Sequence, residues 1–406
     1  MHIGINAQLL SFSQNYRNGG ISRYIRYLLT ELARDPGQHE YTIFVNGADT
    51  AAQLGVQHPQ MTFVPANWPE AKPAARVAWE QLTLPALIRQ RGIQVLHSPA
   101  NVLPEFLPRG CASVVTLHDL AFLRMPEVLT RPKRMYHRTF TTRSLRRASM
   151  IIAVSESTSR DLSELLEISS QHITTVYPCI DGRFTQSIAE VDIQAFRQRQ
   201  GLEESFLLYM GTLEPRKNIP TLLDAYARLR QMTGTRARLV LAGGKGWLYD
   251  EIFARVQQLG LENEVVFPGY VSDEEQPLWY HAAAAFVYPS LYEGFGIPVA
   301  EALACGTPVI TSTVSSLPEA GAGIALTVDP HDSEALAAAL HTALSDSALR
   351  ERCRTLASTV VERFSASAMT RQTIAVYEQA ITSHVVQRNT PANESKIGYG
   401  SIREQQ

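Results

Sequence analysis

Short apolar runs alternate with helical patterns along almost the whole chain, and the alternation starts afresh after residue 200. Strands and helices in regular alternation are best satisfied by parallel sheets covered by helices. In the first half, strands are expected at 2–8, 41–46, 61–65, 93–97, 112–117, 150–154 and 173–177, with helices near 21–34, 73–91, 131–147 and 156–167. The second half carries strands at 206–211, 238–242, 264–268, 285–288, 308–311 and 324–328, and helices near 218–232, 247–259, 273–283, 298–305 and 333–344. With 406 residues the chain exceeds one ordinary core, so two Rossmann-like α/β units are expected.

The joint between them lies near 180–200, where Pro178-Cys179-Ile180-Asp181-Gly182 has the punctuation of a link and 190–200 reads as a short helix. A long helical stretch, 333–363, is followed by Phe364-Ser365 and an apolar-periodic helix at 366–383 that can cross back to the first unit. The expected division is therefore 1–185, 186–364, a crossover helix 365–383, and a flexible tail 384–406 poor in apolar residues.

A net charge of −2 argues against a dedicated nucleic-acid binder, yet the halves differ. Residues 1–185 hold 19 Lys+Arg and 14 Asp+Glu, and the remainder holds 18 and 25. The basic excess is concentrated at 124–147, where Arg124, Arg131, Lys133, Arg134, Arg138, Arg143, Arg146 and Arg147 face one acid, Glu127. Such a run fits an anionic membrane surface or an acceptor diphosphate, and equally the solvated face of a helix. No segment has the length and apolarity of a membrane span, and Met-His-Ile-Gly-Ile-Asn leads straight into a strand without a signal peptide. A cytoplasmic protein is expected, with Cys111, Cys179, Cys305 and Cys353 as scattered reduced thiols.

In open parallel sheets, ligands bind outside the carboxyl ends of strands. Four post-strand segments stand out. Between Glu293 and Glu301 the chain reads Glu-Gly-Phe-Gly-Ile-Pro-Val-Ala-Glu, a Gly-rich turn into a Pro-started helix whose amides and dipole attract phosphate. The two acids fit vicinal hydroxyls of a ribose and a sugar, or two solvated side chains at a junction. Arg216 and Lys217 follow a strand and the Gly211-Thr212 turn, directly at a helix start. Cations avoid that end of a helix dipole, so an anion is implied, with a surface pair bridged to Glu214 as the plainer reading. Asn18-Gly19-Gly20 precedes a helix and permits close backbone approach to a ligand, but is no dinucleotide fingerprint. His118-Asp119 and, less centrally, His97 end strands where they can reach a sugar, or serve as buried structural groups. Leu241-Ala242-Gly243-Gly244-Lys245-Gly246 lacks the Gly-Lys-Ser/Thr ending of a triphosphate loop, and no hydrolase triad or acidic metal cluster is evident.

Taken in order, Gly19-Gly20, His118-Asp119, Gly211…Arg216-Lys217-Asn218 and Glu293…Glu301 make the chain resemble the retaining GT-B glycosyltransferases, specifically the large family 4. The resemblance spans roughly residues 1–383 and is most specific in Gly-Thr-Leu-Glu-Pro-Arg-Lys-Asn from 211 and Pro-Ser-Leu-Tyr-Glu-Gly-Phe-Gly-Ile-Pro-Val-Ala-Glu from 289. It implies two Rossmann-like domains facing across a cleft, the first for the acceptor and the second for a nucleotide-sugar donor. Glu301 would bind the donor ribose and Glu293 the transferred hexose, while Phe295, Gly296 and Ile297 would offer backbone amides. Arg216 and Lys217 would neutralise the leaving diphosphate beside Gly211 and Thr212, with Gly19 and Gly20 closing on it. His118 would sit near the donor sugar, His97 and Asp119 in an acceptor or sugar pocket, and Val271 in the loop cradling the base. No cofactor or metal is expected, since the cations and helix dipole take that role.

Relatives with Gly-Gly-Ile-Ser-Arg-Tyr and His-Asp-Leu are mostly mannosyl or related transferases of bacterial surface polysaccharide, including lipopolysaccharide, so GDP-mannose is the expected donor. UDP- or dTDP-sugars stay open, and the acceptor is expected to be a glycan, lipid-diphosphate-linked or soluble. The alternatives are a nucleotide-sugar epimerase or phosphorylase, and a non-catalytic two-lobed binding protein. The cationic helix start argues against the binding protein.

Overall fold

The computed structural model describes residues 1–12, 19–68, 72–128, 130–244, 246 and 249–389. Asn18, Lys245 and positions 390–406 of the expected tail lie outside the described residues. Seven strands form the first sheet: β1 (His2–Asn6), β2 (Glu40–Asn46), β3 (Met61–Ala66), β4 (Val95–Ser98), β5 (Ala112–Leu117), β6 (Met150–Ala153) and β7 (Ile173–Thr175). The second has six: β8 (Phe206–Met210), β9 (Arg238–Ala242), β10 (Val265–Gly269), β11 (Ala285–Tyr288), β12 (Val309–Ser312) and β13 (Leu326–Val328). Every pairing is parallel, in the orders β3-β2-β1-β4-β5-β6-β7 and β10-β9-β8-β11-β12-β13. Strand order reverses between β1 and β4 and again between β8 and β11. Connections leave in opposite directions at such a reversal, and a crevice opens at the carboxyl ends.

Both faces of the sheets are covered, which is why the strands are almost uniformly apolar. On one face of the first sheet, Ile3, Ile5 and Val114 pack with Leu28 and Leu29 of the helix Gly20–Arg34. The crossover helix, Ala366–Asn389, adds Met369, Val376, Tyr377 and Ala380 to that core, and it runs past the expected end at 383. Helices Leu84–Gln90 and Glu156–Leu166 cover the other face through Leu84, Ile88 and Leu162. All four cysteines are free and buried.

Three expected helical stretches are interrupted. The pattern at 333–363 breaks into Ser333–Ser345 and Ser347–Arg363, because the Asp346 carboxylate caps the second by accepting from the amides of Ala348 (2.8 Å) and Leu349 (3.2 Å). The stretches 73–91 and 131–147 each contain a π-helical turn, Trp79–Thr83 and His137–Thr141. Pro85 accounts for the first, since it lacks the amide that an α-helix would use there.

The chain passes between the halves twice, and the Ile180 amide donates to the Phe364 carbonyl at 2.9 Å where the passes meet. The halves also touch directly. Glu319 of the second accepts from the amides of Glu156 and Ser157 at 2.8 Å each, capping a helix of the first. Gly294 lies so close to the His118 carbonyl that a Cβ would come within 1.6 Å of its oxygen.

Candidate active site

The crevice between β8 and β11 is built from two loops stitched together. After β8 a 3-10 turn, Pro215–Lys217, ends at Asn218 in the left-handed conformation, φ 58°. Its side-chain amide donates to the carbonyls of Pro289 (3.1 Å) and Pro330 (2.6 Å), and the Leu291 amide donates to the Arg216 carbonyl at 2.9 Å. The turn is thereby pinned against the loop that carries Glu293.

Lys217 Nζ donates to the Tyr288 hydroxyl at 2.6 Å and to Glu293 Oε1 at 2.5 Å. Arg216 donates to Glu293 Oε2, to the Tyr292 carbonyl and to Glu214 Oε1, each at 3.0 Å. The bridge to Glu214 is real, but this is no surface pair: Lys217 is 6% exposed and Glu293 8%. Burial by itself would raise the Glu293 carboxyl; Arg216 and Lys217 outweigh it and hold the pKa at about 2. Glu293 is thus a fixed carboxylate, with lone pairs left for hydroxyl donors.

The next element is the helix Ile297–Ala304, one residue earlier than expected. Its N-cap, Gly296, has φ 96°, a conformation that any side chain would strain, and makes no side-chain cap hydrogen bond. The amide-rich turn from Gly294 to Pro298 lines a cleft of about 390 Å³. Arg216, Lys217 and Glu293 border the same cleft, as do Gly19, Gly20, Arg23, His118 and Asp119 from the first half. A Cβ at Gly20 would meet nothing within 4 Å, so that wall is open.

His118 Nε2 donates to the Pro99 carbonyl at 2.8 Å. Burial lowers its pKa, so the imidazole is neutral and Nδ1 is left as an acceptor. A neutral Nδ1 can accept a hydrogen bond from a hydroxyl group. Asp119 does not set that tautomer; its Oδ1 accepts from the Ala121 amide at 3.0 Å.

Other expected residues lie elsewhere. Gly211, Thr212 and Val271 do not border the cleft. His97 is fully buried between Tyr377 and Thr116, 2.8 Å from each hydroxyl, and so ties the crossover helix to the first sheet instead of reaching a sugar pocket. Glu301 lies a turn inside its helix, 2% exposed, with one oxygen held by Arg23 of the first half and the other by the Tyr280 hydroxyl at 3.3 Å. Arg23 was overlooked, although the argument used for Arg216 applies to it: it is a cation near the positive end of a helix dipole. The basic run is partly spent on ion pairs, Arg124 with Asp161 and Glu164, and Arg143 and Arg147 with Glu105. Among the described residues no group of three or more His, Cys, Asp or Glu is placed to hold a metal ion, and no helix is long and apolar enough to cross a membrane.

Two parallel-sheet units facing each other across a crevice are the GT-B architecture, and known proteins agree. The chain superposes on a sucrose-phosphate synthase from Thermosynechococcus elongatus with a TM-score of 0.72 at 22% identity, covering 94% of this chain and 99% of that one. Against Anabaena Alr3699/HepE in complex with UDP-glucose the TM-score is 0.68 at 18% identity, covering 95% and 100%. Residues 192–359 match the family model of glycosyl transferases group 1, and residues 18–183 that of glycosyltransferase family 4. The chain is 36% identical over 285 residues to O-antigen chain mannosyltransferase B of Escherichia coli, covering 70% of this chain and 74% of that protein. The protein belongs to this family of glycosyltransferases.

Proposed function

We propose that the protein is a retaining, metal-independent hexosyltransferase that moves mannose from GDP-mannose to a glycan or lipid-diphosphate-linked acceptor of a bacterial surface polysaccharide. The observation that carries the transfer reading is the buried Arg216–Lys217–Glu293 cluster at the strand-order reversal, beside an amide-rich helix start. The similarity to an O-antigen mannosyltransferase supports mannose and that class of acceptor.

In this reading residues 1–185 receive the acceptor and 186–364 the donor. Glu293 orients hexose hydroxyls, His118 Nδ1 accepts from another, and Glu301 accepts from the ribose. Negative charge grows on the departing diphosphate as the anomeric carbon becomes oxocarbenium-like. Arg216 and Lys217, preset in a poorly solvated pocket, stabilise that charge most in the transition state. The acceptor attacks the face from which the diphosphate leaves, and a donor phosphate oxygen takes its proton. Arg131, Arg134, Arg138 and Arg146 are exposed near Met135 and Phe140, a combination that supports peripheral contact with an anionic membrane bearing a lipid-linked acceptor.

A thermal-shift panel of GDP-, UDP-, ADP- and dTDP-sugars tests the donor, because a ligand of the native state raises its apparent stability. GDP-mannose should give the largest shift and release GDP when acceptor is added. A larger shift with a UDP-sugar would move the donor assignment, and interconversion of the sugar nucleotide without acceptor would replace transfer by epimerisation.

A further inference from the structure

Glu301, the ribose carboxylate of the proposed function, is already engaged. Arg23 Nη2 hydrogen-bonds its Oε1, and Arg23 Nη1 donates to Gln276 Oε1 at 3.2 Å, so one guanidinium spans the two halves. The contact belongs to a wider face on which Arg26 also meets Asp273 at 3.2 Å. Burial alone would lower the Arg23 pKa; Glu301, Tyr27 and Asp273 together outweigh it, and the side chain keeps its charge.

Two further facts about Arg23 are not explained by a structural ion pair. Its side chain borders the same cleft as Arg216 and Lys217. Its Nε–H is buried with no hydrogen-bond partner among the described residues, and an unused buried donor beside a cleft lined by cations calls for an acceptor. At the cation turn, moreover, Arg216 and Lys217 are matched by Glu214 and Glu293. A diphosphate arriving there meets cations whose charge is largely balanced, and Arg23, the remaining cationic side chain among the described residues lining the cleft, is paired with a carboxylate that ribose hydroxyls can take over.

We propose that Arg23 is a built-in stand-in for the donor. Its guanidinium occupies Glu301 until a nucleoside diphosphate arrives; the ribose hydroxyls then take over the carboxylate, and Arg23 turns to the diphosphate. The exchange makes the site respond to ribose and diphosphate together, because displacing Arg23 by ribose alone leaves a buried cation without a counter-charge. The proposal rests on the reading of Glu301 as the ribose acceptor.

Calorimetric titration of guanosine and of GDP into the wild type, Arg23→Ala, Arg23→Lys and Glu301→Ala tests it, with uridine and UDP in parallel. In Arg23→Ala the nucleoside should bind several-fold tighter, because its competitor is gone, while the advantage of the diphosphate over the nucleoside should shrink about tenfold. Arg23→Lys, the conservative variant, should retain most of that advantage. Nucleoside affinity unchanged or weakened in Arg23→Ala, or an undiminished diphosphate advantage, overturns the exchange. If Glu301→Ala binds nucleoside like the wild type, the ribose reading itself fails. If Glu301→Ala loses nucleoside and Arg23→Ala gains none, only the exchange fails.

Discussion

The two glutamates of the Glu293–Glu301 segment are held in opposite ways. Glu293 is gripped by Arg216 and Lys217, cations of its own half presented on a pinned turn. Glu301, a turn inside the helix that follows, is gripped by Arg23 from the other half. The first arrangement survives any relative movement of the halves, whereas the second exists only while they are closed. Under the proposed function, the preorganised charge lies where leaving-group charge develops, and the contact between the halves lies where the ribose arrives.

Removing preset charge should have the largest effect. Lys217→Ala should lower kcat by about 10²–10³ with circular dichroism unchanged, and near-normal turnover would refute the leaving-group role. Gly294→Ala attacks closure instead. Its Cβ would sit 1.6 Å from the His118 carbonyl oxygen, so the halves have to part, and scattering should report a larger particle with turnover down about tenfold or more; an unchanged radius would show that the loop yields without opening. Glu301→Ala should weaken donor binding by roughly tenfold, with kcat less affected than KM, as expected for a lost charged hydrogen bond. An unaltered donor KM would remove Glu301 from the ribose.

Acid titration separates the glutamates most gently. The folded Glu293 carboxyl is held at about 2, against an ordinary 4.5. Its stabilisation is fully present above 4.5 and is lost as pH falls through 2. The amount is on the order of 3 kcal/mol before the cost of burying Lys217 is set against it. Unfolding free energy should fall across that window, and Glu293→Gln should flatten the slope; an identical slope in the variant would show that Glu293 does not carry it.

What could be read from the residues follows the range of the forces involved. Strand positions were legible because each strand needs only a short apolar run and a parallel partner buries both faces. The cation turn and the amide-rich loop were legible because a helix dipole acts over one turn. The helix expected at 333–344 ends one residue later, but the cap at Asp346 that divides the stretch 333–363 was not legible, because a cap competes locally with a strong periodic pattern. His97 was misjudged because its partner Tyr377 lies 280 positions away on the crossover helix; the pairing of Arg23 with Glu301 was out of reach because 278 positions separate them, although the place of Arg23 near a helix start was a local signal. Strand-end polarity says that a residue is near the carboxyl edge, not which neighbour closes over it.

In the proposed function, Arg216 and Lys217 recognise the leaving diphosphate more than the intact donor. Free GDP carries more phosphate charge than GDP-mannose, so calorimetric affinities of both ligands in the wild type and in Lys217→Ala test this preference directly. The substitution should weaken GDP at least several-fold more than GDP-mannose; equal losses for the two ligands would contradict the preference.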